Sequence, residues 1–313
     1  MSNGVGVTFA LLLGLAGCAS DDTGTPKTDS ADGTGLPWLT VAPGNRHACG
    51  VRSNGRAYCW GEGERGSAWT KDRVLSDVPT RDDLLDLSMA VDPETNVACA
   101  LTSGGPVVCW GVHGERELLG PYSAITVGGK AVFGLRGDAS LDCYSAVSGE
   151  PCMDYTRLDR VEHFAADYGL VIAVGADGEL AGSTHGGSEA PLPEFPRGPW
   201  WRVGPPSAVS RWMCGVLVGG RPLCFGDPEL DANGFDAVPD FVATDVCTVD
   251  SFGACALDID GHPICWGEDV DFAPPSGPFA KLFCGDGTWC GISPGGDATC
   301  WGDCQSGICD LPP

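Results

Sequence analysis

The chain has 313 residues, a formal net charge of −24 and only 18 basic side chains. That balance excludes a nucleic-acid surface, which needs clustered Lys and Arg against phosphate, and it excludes adsorption to anionic lipid headgroups through the protein surface. Seventeen cysteines are too many for a reducing cytosol.

Val5 to Leu15 is apolar but too short to span a bilayer as a stable helix. It runs into Leu15-Ala16-Gly17-Cys18, which resembles a bacterial lipobox. The resemblance implies cleavage before Cys18 and lipid attachment to it, so residues 1–17 are expected to be a lipoprotein signal peptide. One departure is that "MSNG" carries no Lys or Arg, where a signal peptide usually has a positive n-region. Residues 18–37 include "ASDDTGTPKTDSADGTG", which has no apolar periodicity and cannot bury enough surface to order itself. They read as a lipidated flexible linker, followed by a folded region over 38–313.

That region repeats. "HACGVRSNGRAYCWG" returns as "VACALTSGGPVVCWG", "WMCGVLVGGRPLCFG", "GACALDIDGHPICWG" and "TWCGISPGGDATCWG". Seven registers align at Cys49, Cys99, Phe133, Ile172, Cys214, Cys255 and Cys290, with spacings of 50, 34, 39, 42, 41 and 35 residues. An average of about 40 lies in the range of propeller blades. The third register keeps only Cys143, and the fourth has Ile172 and Gly182 in place of both cysteines.

Each unit reads as a β-hairpin. Asn54-Gly55 is a strong hairpin signal because both residues tolerate positive φ. Asp177-Gly178, Asp260-Gly261, Gly104-Gly105 and Gly295-Gly296 occupy the same place. Counting outward from the turn sets the two cysteines opposite each other, within disulfide reach. Five staples are expected: Cys49–Cys59, Cys99–Cys109, Cys214–Cys224, Cys255–Cys265 and Cys290–Cys300. Cys143 and Cys152 suit a local bridge. Cys304 with Cys309 could pin the last loop, and Cys247 with Cys284, at the start of two inner strands, could join neighbouring blades. The sequence leaves the pairing of these last four open.

Eight residues before the first cysteine an apolar residue recurs, at Val41, Val91, Ile125, Phe164 and Leu282. This is the expected inner strand. Four short strands per unit, seven times over, give an all-β, seven-bladed β-propeller with disulfide-stapled hairpins. The aromatic residue after the second cysteine (Trp60, Trp110, Trp266, Trp301, with Phe225 and Tyr144 as substitutes) is expected to pack between blades.

"VAPGNRHACGVRSNGRAYCWGEGERG" resembles the repeat of the regulator of chromosome condensation family, and "WGDCQSG" resembles the Trp-Gly that closes that repeat. The resemblance covers about residues 38–313 and implies a seven-bladed propeller. The histidine the family often has two residues before the first cysteine survives only as His47, and the polar segment after Trp-Gly is eroded.

Chemistry is sparse. His47, His113, His163, His185 and His262 form no metal spacing, and there is no nucleophile elbow, phosphate loop or dinucleotide fingerprint. Asp258-Ile259-Asp260-Gly261 hints at calcium but occupies the hairpin turn. No catalytic, cofactor-binding or metal residues are therefore assigned. The chain is read as more suited to binding than to catalysis.

Two stretches depart most from the repeat: Glu194–Pro206, "EFPRGPWWRVGPP", and Ser67–Leu85. Trp200 and Trp201 are the candidate partner-binding residues. The expected role is a monomeric interaction scaffold, lipid-anchored in the cell envelope or secreted, with an extracytoplasmic protein as partner. Alternatives are a glycan-binding or adhesion module, favoured by a ring of exposed tryptophans, and a hydrolase or lyase with paired carboxylates in the central channel.

Overall fold

The computed structural model describes residues 35–44, 46–61, 78–89, 97–111, 113–118, 120–153, 155–167, 169–184, 192, 194–206, 212–226, 237–249, 253–267, 273–304 and 307–313. These residues hold 22 strands in seven antiparallel sheets. The first blade is Trp38–Pro43, His47–Arg52 and Ala57–Gly61. The inner strands of blades two to seven are Leu84–Met89, Ala124–Gly128, Val161–Asp167, Trp200–Val203, Ala243–Val249 and Lys281–Cys284. Each inner strand contacts the next, and that of blade seven returns to that of blade one, so the ring is closed. Asp258–Gly261 forms the expected hairpin turn, with Asp258 Oδ1 accepting from the N–H groups of Asp260 and His262 at 2.9 and 2.8 Å.

One backbone contact recurs at every blade boundary. The turn residue of each hairpin offers its carbonyl to an N–H at the start of the next inner strand or, for Tyr122 and Phe279, two residues before it. The bonds run Leu84 to Gly55 (3.0 Å), Tyr122 to Gly105 (3.0 Å), Val161 to Ala139 (2.8 Å), Trp200 to Gly178 (2.8 Å), Ala243 to Gly220 (2.7 Å), Phe279 to Gly261 (2.8 Å) and, closing the ring, Trp38 to Gly296 (2.8 Å). The hairpin itself differs from the expected turn. Asn54 does not take positive φ; Gly55 does, at 72°. Gly55 N–H donates to Arg52 O and Arg52 N–H to Arg56 O, which is a type I turn closed by a glycine bulge. A Cβ on Gly55 would lie 2.1 Å from Asp82 O, so glycine is needed there both for φ and for the approach of the next blade.

The Cys-Trp-Gly run has a packing explanation. Consecutive strand residues face opposite sides of a sheet. Cys49 faces the core shared with blade two, beside Leu87 and Trp110. Trp60 faces the core shared with blade seven, beside Cys290 and Ile292. Trp266 and Trp301 likewise meet the cysteine strand of the preceding blade. Staple and ring thus alternate around the disc, and the structure pairs Cys49–Cys59, Cys99–Cys109, Cys214–Cys224, Cys255–Cys265 and Cys290–Cys300, with Cα atoms 3.9–4.0 Å apart. Blade four replaces the disulfide with Ile172 opposite Gly182. The Phe195 ring fills the space left by the missing side chain of Gly182.

Three further bridges are present. Cys143–Cys152 ties down the edge of blade three, where Tyr144 meets Pro151 and Leu141 meets Leu158. Cys304–Cys309 holds the C-terminal loop, whose Ile308 carbonyl accepts from Trp60 Nε1 at 2.7 Å. Cys247–Cys284 joins the inner strands of blades six and seven. Both cysteines lie in the later half of those strands rather than at their start.

Several expectations need correction. A fourth strand is present only in blade two, Arg116–Leu118, among the described residues. Val91 lies outside the described residues, and Leu87 pairs with Ala100 where Val41 pairs with Gly50. The extra length of the first spacing therefore does not all precede the inner strand: the connection from inner to middle strand is longer in blade two. Residues 67–77 lie outside the described residues, and Leu84 and Leu85 belong to an inner strand.

Trp200 is not a loop residue either. It opens the inner strand of blade five and is 2% exposed. The reason lies in a side-chain exchange repeated in every blade. The residue that makes the inter-blade N–H contact lies over the residue that follows the first-cysteine register. Where the first is aromatic the second is glycine: Trp38 over Gly50, Tyr122 over Gly134, Trp200 over Gly215 and Phe279 over Gly291. Where the first is aliphatic the second is alanine, as with Leu84 and Ala100, Val161 and Ala173, and Ala243 and Ala256.

Two substitutions test these constraints. Gly55→Ala is expected to cost about 2 kcal/mol or more in unfolding free energy, while Gly137→Ala, with nothing within 4 Å of its Cβ, stays within about 0.5 kcal/mol, both read by chemical denaturation. Gly215→Ala drives a methyl to 2.8 Å from the Trp200 ring and is expected to cost about 1–3 kcal/mol. Adding Trp200→Leu, which recreates the Leu84–Ala100 pairing, recovers part of that loss.

Candidate functional site

The inner strands of five blades carry the same irregularity. Pairing skips one residue between Trp38 and Thr40, Leu84 and Asp86, Val161 and His163, Trp200 and Arg202, and Ala243 and Asp245. A bulge re-aims the side chains on either side of it. The skipped residues are Leu39, Leu85, Glu162, Trp201 and Thr244. Leu85 is 51% and Trp201 49% exposed. Of the residues just after the bulge, Asp86, His163, Arg202 and Asp245 form a polar tier lining the channel, while Thr40 and Lys281 hold the matching places in blades one and seven.

The channel lined by this tier holds about 800 Å3, including space open to solvent. Its charges are unevenly satisfied. Asp245 is buried; it accepts from the N–H groups of Val246 (2.9 Å) and Leu282 (3.1 Å) and pairs with Arg202 Nε at 3.0 Å. Burial pushes its carboxyl up, while Arg202 and the two N–H groups pull it down. His163 Nδ1 accepts weakly from Val203 N–H at 3.4 Å. Asp245 and His163 thereby supply acceptors to the inner strand of the following blade, whose channel edge has no strand partner. Asp86 is half-buried; its Oδ1 accepts from Leu87 N–H at 2.9 Å, Thr40 stands beside it, and burial raises its carboxyl.

Beside the mouth lies an apolar strip. Val218, in the hairpin turn of blade five, is 63% exposed and Val242 50%. Val218 N–H donates to Pro199 O at 2.7 Å, close to Trp201. A Cβ on Gly220 would touch Val242 at 2.4 Å. Ile259, in the hairpin turn of blade six, is 69% exposed. All four lie on the face from which the hairpin turns reach the next blade. Sequence reasoning missed Asp86, His163, Arg202 and Asp245. The only available signal was a polar residue two places after the start of an inner strand, and those starts vary in distance from the cysteines. Cys18 lies outside the described residues.

Seven sheets closed through their inner strands define a seven-bladed β-propeller. The model of the Regulator of chromosome condensation (RCC1) repeat matches residues 40–67, so the chain carries a repeat of that kind. No curated protein matches the chain. Among solved structures it is similar to the CRINKLY WD40 ectodomain of the Arabidopsis thaliana receptor kinase ACR4, at 20% identity and a TM-score of 0.62, covering 85% of this chain and 98% of that one. The ectodomain of the Physcomitrella patens receptor kinase CR4 matches at 21% identity and a TM-score of 0.60, covering 85% and 74%. Kluyvelomyces marxianus Hsv2 matches at 9% identity and 0.56, covering 83% and 90%. At these identities the likeness concerns the fold.

The buried histidines give a pH dependence of defined sign. Burial lowers His163 from 6.5 to about 3 and His47 from 6.5 to about 4. Below pH 6.5 the unfolded chain takes up protons that the folded chain refuses, so their contribution to stability is present above 6.5 and lost as pH falls towards 4 and below. The raised carboxyls of Asp86 and Asp245 act in the opposite sense. Replacing His163 by Asn, which keeps an acceptor for Val203, is expected to flatten the fall in the urea midpoint between pH 6.5 and 4. An unchanged slope would show that His163 is not held neutral.

Proposed function

We propose that the chain is a cell-envelope lipoprotein whose propeller is a protein-interaction scaffold, with its partner seated on the face that carries the channel mouth. The observation that carries this reading is the cluster of Trp201, Val218, Val242 and Ile259, four large apolar side chains 49–69% exposed on one face of blades five and six. Exposed apolar clusters of this kind are a common signature of partner surfaces, and a rigid disc that presents turns on one face suits recognition. The envelope location rests on the lipobox-like Leu15–Cys18 and on the disulfide content, and the proposed organisation is a signal peptide over 1–17, a lipidated linker over 18–37 and the propeller over 38–313.

The other readings have less support. A glycan platform needs several exposed rings, and Trp201 is the one exposed tryptophan among the described residues. The channel does contain two carboxylates raised by burial, Asp86 and Asp245. Asp245, however, is held by Arg202 and two backbone N–H groups, so it is not free to pair with Asp86 in acid–base work.

The test uses cross-linking of the full chain in its native envelope. A single protein should be captured reproducibly, and Trp201→Asp should abolish its capture while Met153→Asp, 83% exposed at the edge of blade three, leaves it intact. Capture insensitive to Trp201→Asp would reject the proposed surface. Cys18→Ser should move the chain from the membrane to the soluble fraction; retention in the membrane would reject lipid anchoring at that residue.

A further inference from the structure

Asp86 and Asp245 occupy the same position in blades two and six, yet their surroundings differ. Asp245 receives Arg202 from the equivalent position of the preceding blade. Asp86 receives Thr40 from that position. Its Oδ1 also accepts from the N–H of Leu87 at 2.9 Å. Among the described residues Asp86 has no ion pair. Lys281 is the cation whose field reaches it, but that ammonium is exposed and donates to Leu39 O at 3.3 Å. A half-buried carboxylate therefore lines the channel without a contacting cation, immediately behind Leu85, which is 51% exposed.

We propose that Asp86 receives a lysine or arginine side chain from a basic polypeptide partner laid across the channel mouth, with Leu85 and Trp201 as its apolar contacts. This rests on the scaffold reading above and specifies the chemistry of the partner. Three arguments support it. A single available carboxylate suits an ammonium or guanidinium, whereas a hard divalent ion requires about six oxygen ligands. The channel, at about 800 Å3 including open space, admits a long basic side chain. The chain's 42 acidic residues against 18 basic ones steer a cationic partner towards it. The position of Asp86 in the channel wall, next to the apolar bulge residue Leu85, then makes the docked cation a partly buried, charge-assisted contact.

The experiment is a selection of a displayed random dodecapeptide library on the full chain, followed by calorimetric titration of the enriched peptides. The expected result is enrichment of peptides with Lys or Arg at a fixed position. Replacing that residue by Ala should weaken binding at least about tenfold. Asp86→Asn should produce a similar loss, and on the Asp86→Asn protein the Ala replacement should have no further effect. Asp86→Thr, which copies the residue found in blade one, should behave like Asp86→Asn and guards against a folding defect of either variant. Enriched peptides that lose affinity with Trp201→Ala but not with Asp86→Asn overturn this inference and leave the scaffold reading standing. Peptides indifferent to both substitutions overturn both, and a selection that enriches no basic residue overturns the inference.

Discussion

The ring depends on one hydrogen bond made seven times. A hairpin turn in each blade offers its carbonyl to an N–H at or two residues before the start of the next inner strand, and the seventh bond, from Trp38 to Gly296, joins the last blade to the first. Individually such a bond contributes about 1 kcal/mol net. Its larger effect is geometric. It fixes where each inner strand begins relative to the preceding turn, and the bulge that follows in five blades is counted from that point. The channel tier and the exposed bulge residues inherit their positions from it.

Disulfides are secondary to this constraint. Each staple lies within one sheet and packs into the core shared with the next blade, while the Trp that follows it packs against the preceding one. Blade four dispenses with the staple and keeps its register through Ile172, Gly182 and Phe195. The strands therefore define the blade, and cross-linking adds about 2–3 kcal/mol per short loop. The bridge between Cys247 and Cys284 is different in kind, because it links two blades at the channel. At the ring's seam Ile308 lies in the core of blades seven and one. Arg52 stacks 4.2 Å from the Trp38 ring and donates to the carbonyls of Pro312 and Pro313 at 2.6 and 2.8 Å.

The surface follows from the same register. Trp200 and Trp201 are adjacent in sequence but have opposite fates, one covering Gly215 in the core and the other projecting from the bulge to solvent. Composition treats them alike. Register separates them, because a single skipped residue turns one side chain towards the neighbouring blade and leaves the next without a partner. The same step leaves Leu85 exposed and sets Asp86 in the channel. An interaction face arises here without a dedicated loop.

The repeating unit, the number of units and the hairpin register were legible in the residues alone. They depend on local spacing: a glycine turn, cysteines equidistant from it, and a seven-times repeated pattern. The core placement of Trp200 was also written in the chain, in a form that spacing did not expose, since Cys214-Gly215 rather than Cys-Ala marks the place where a large ring lies above. The inner-strand starts in blades two and five, the exposure of Trp201, and the grouping of Asp86, His163, Arg202 and Asp245 emerged only from the folded ring. These four polar residues are 39 or more positions apart along the chain and come together only when the ring closes. The connections that set their distance from the cysteines vary in length from blade to blade. Periodicity reads a repeat, but the position of a side chain relative to other repeats depends on contacts between blades, which no local pattern encodes.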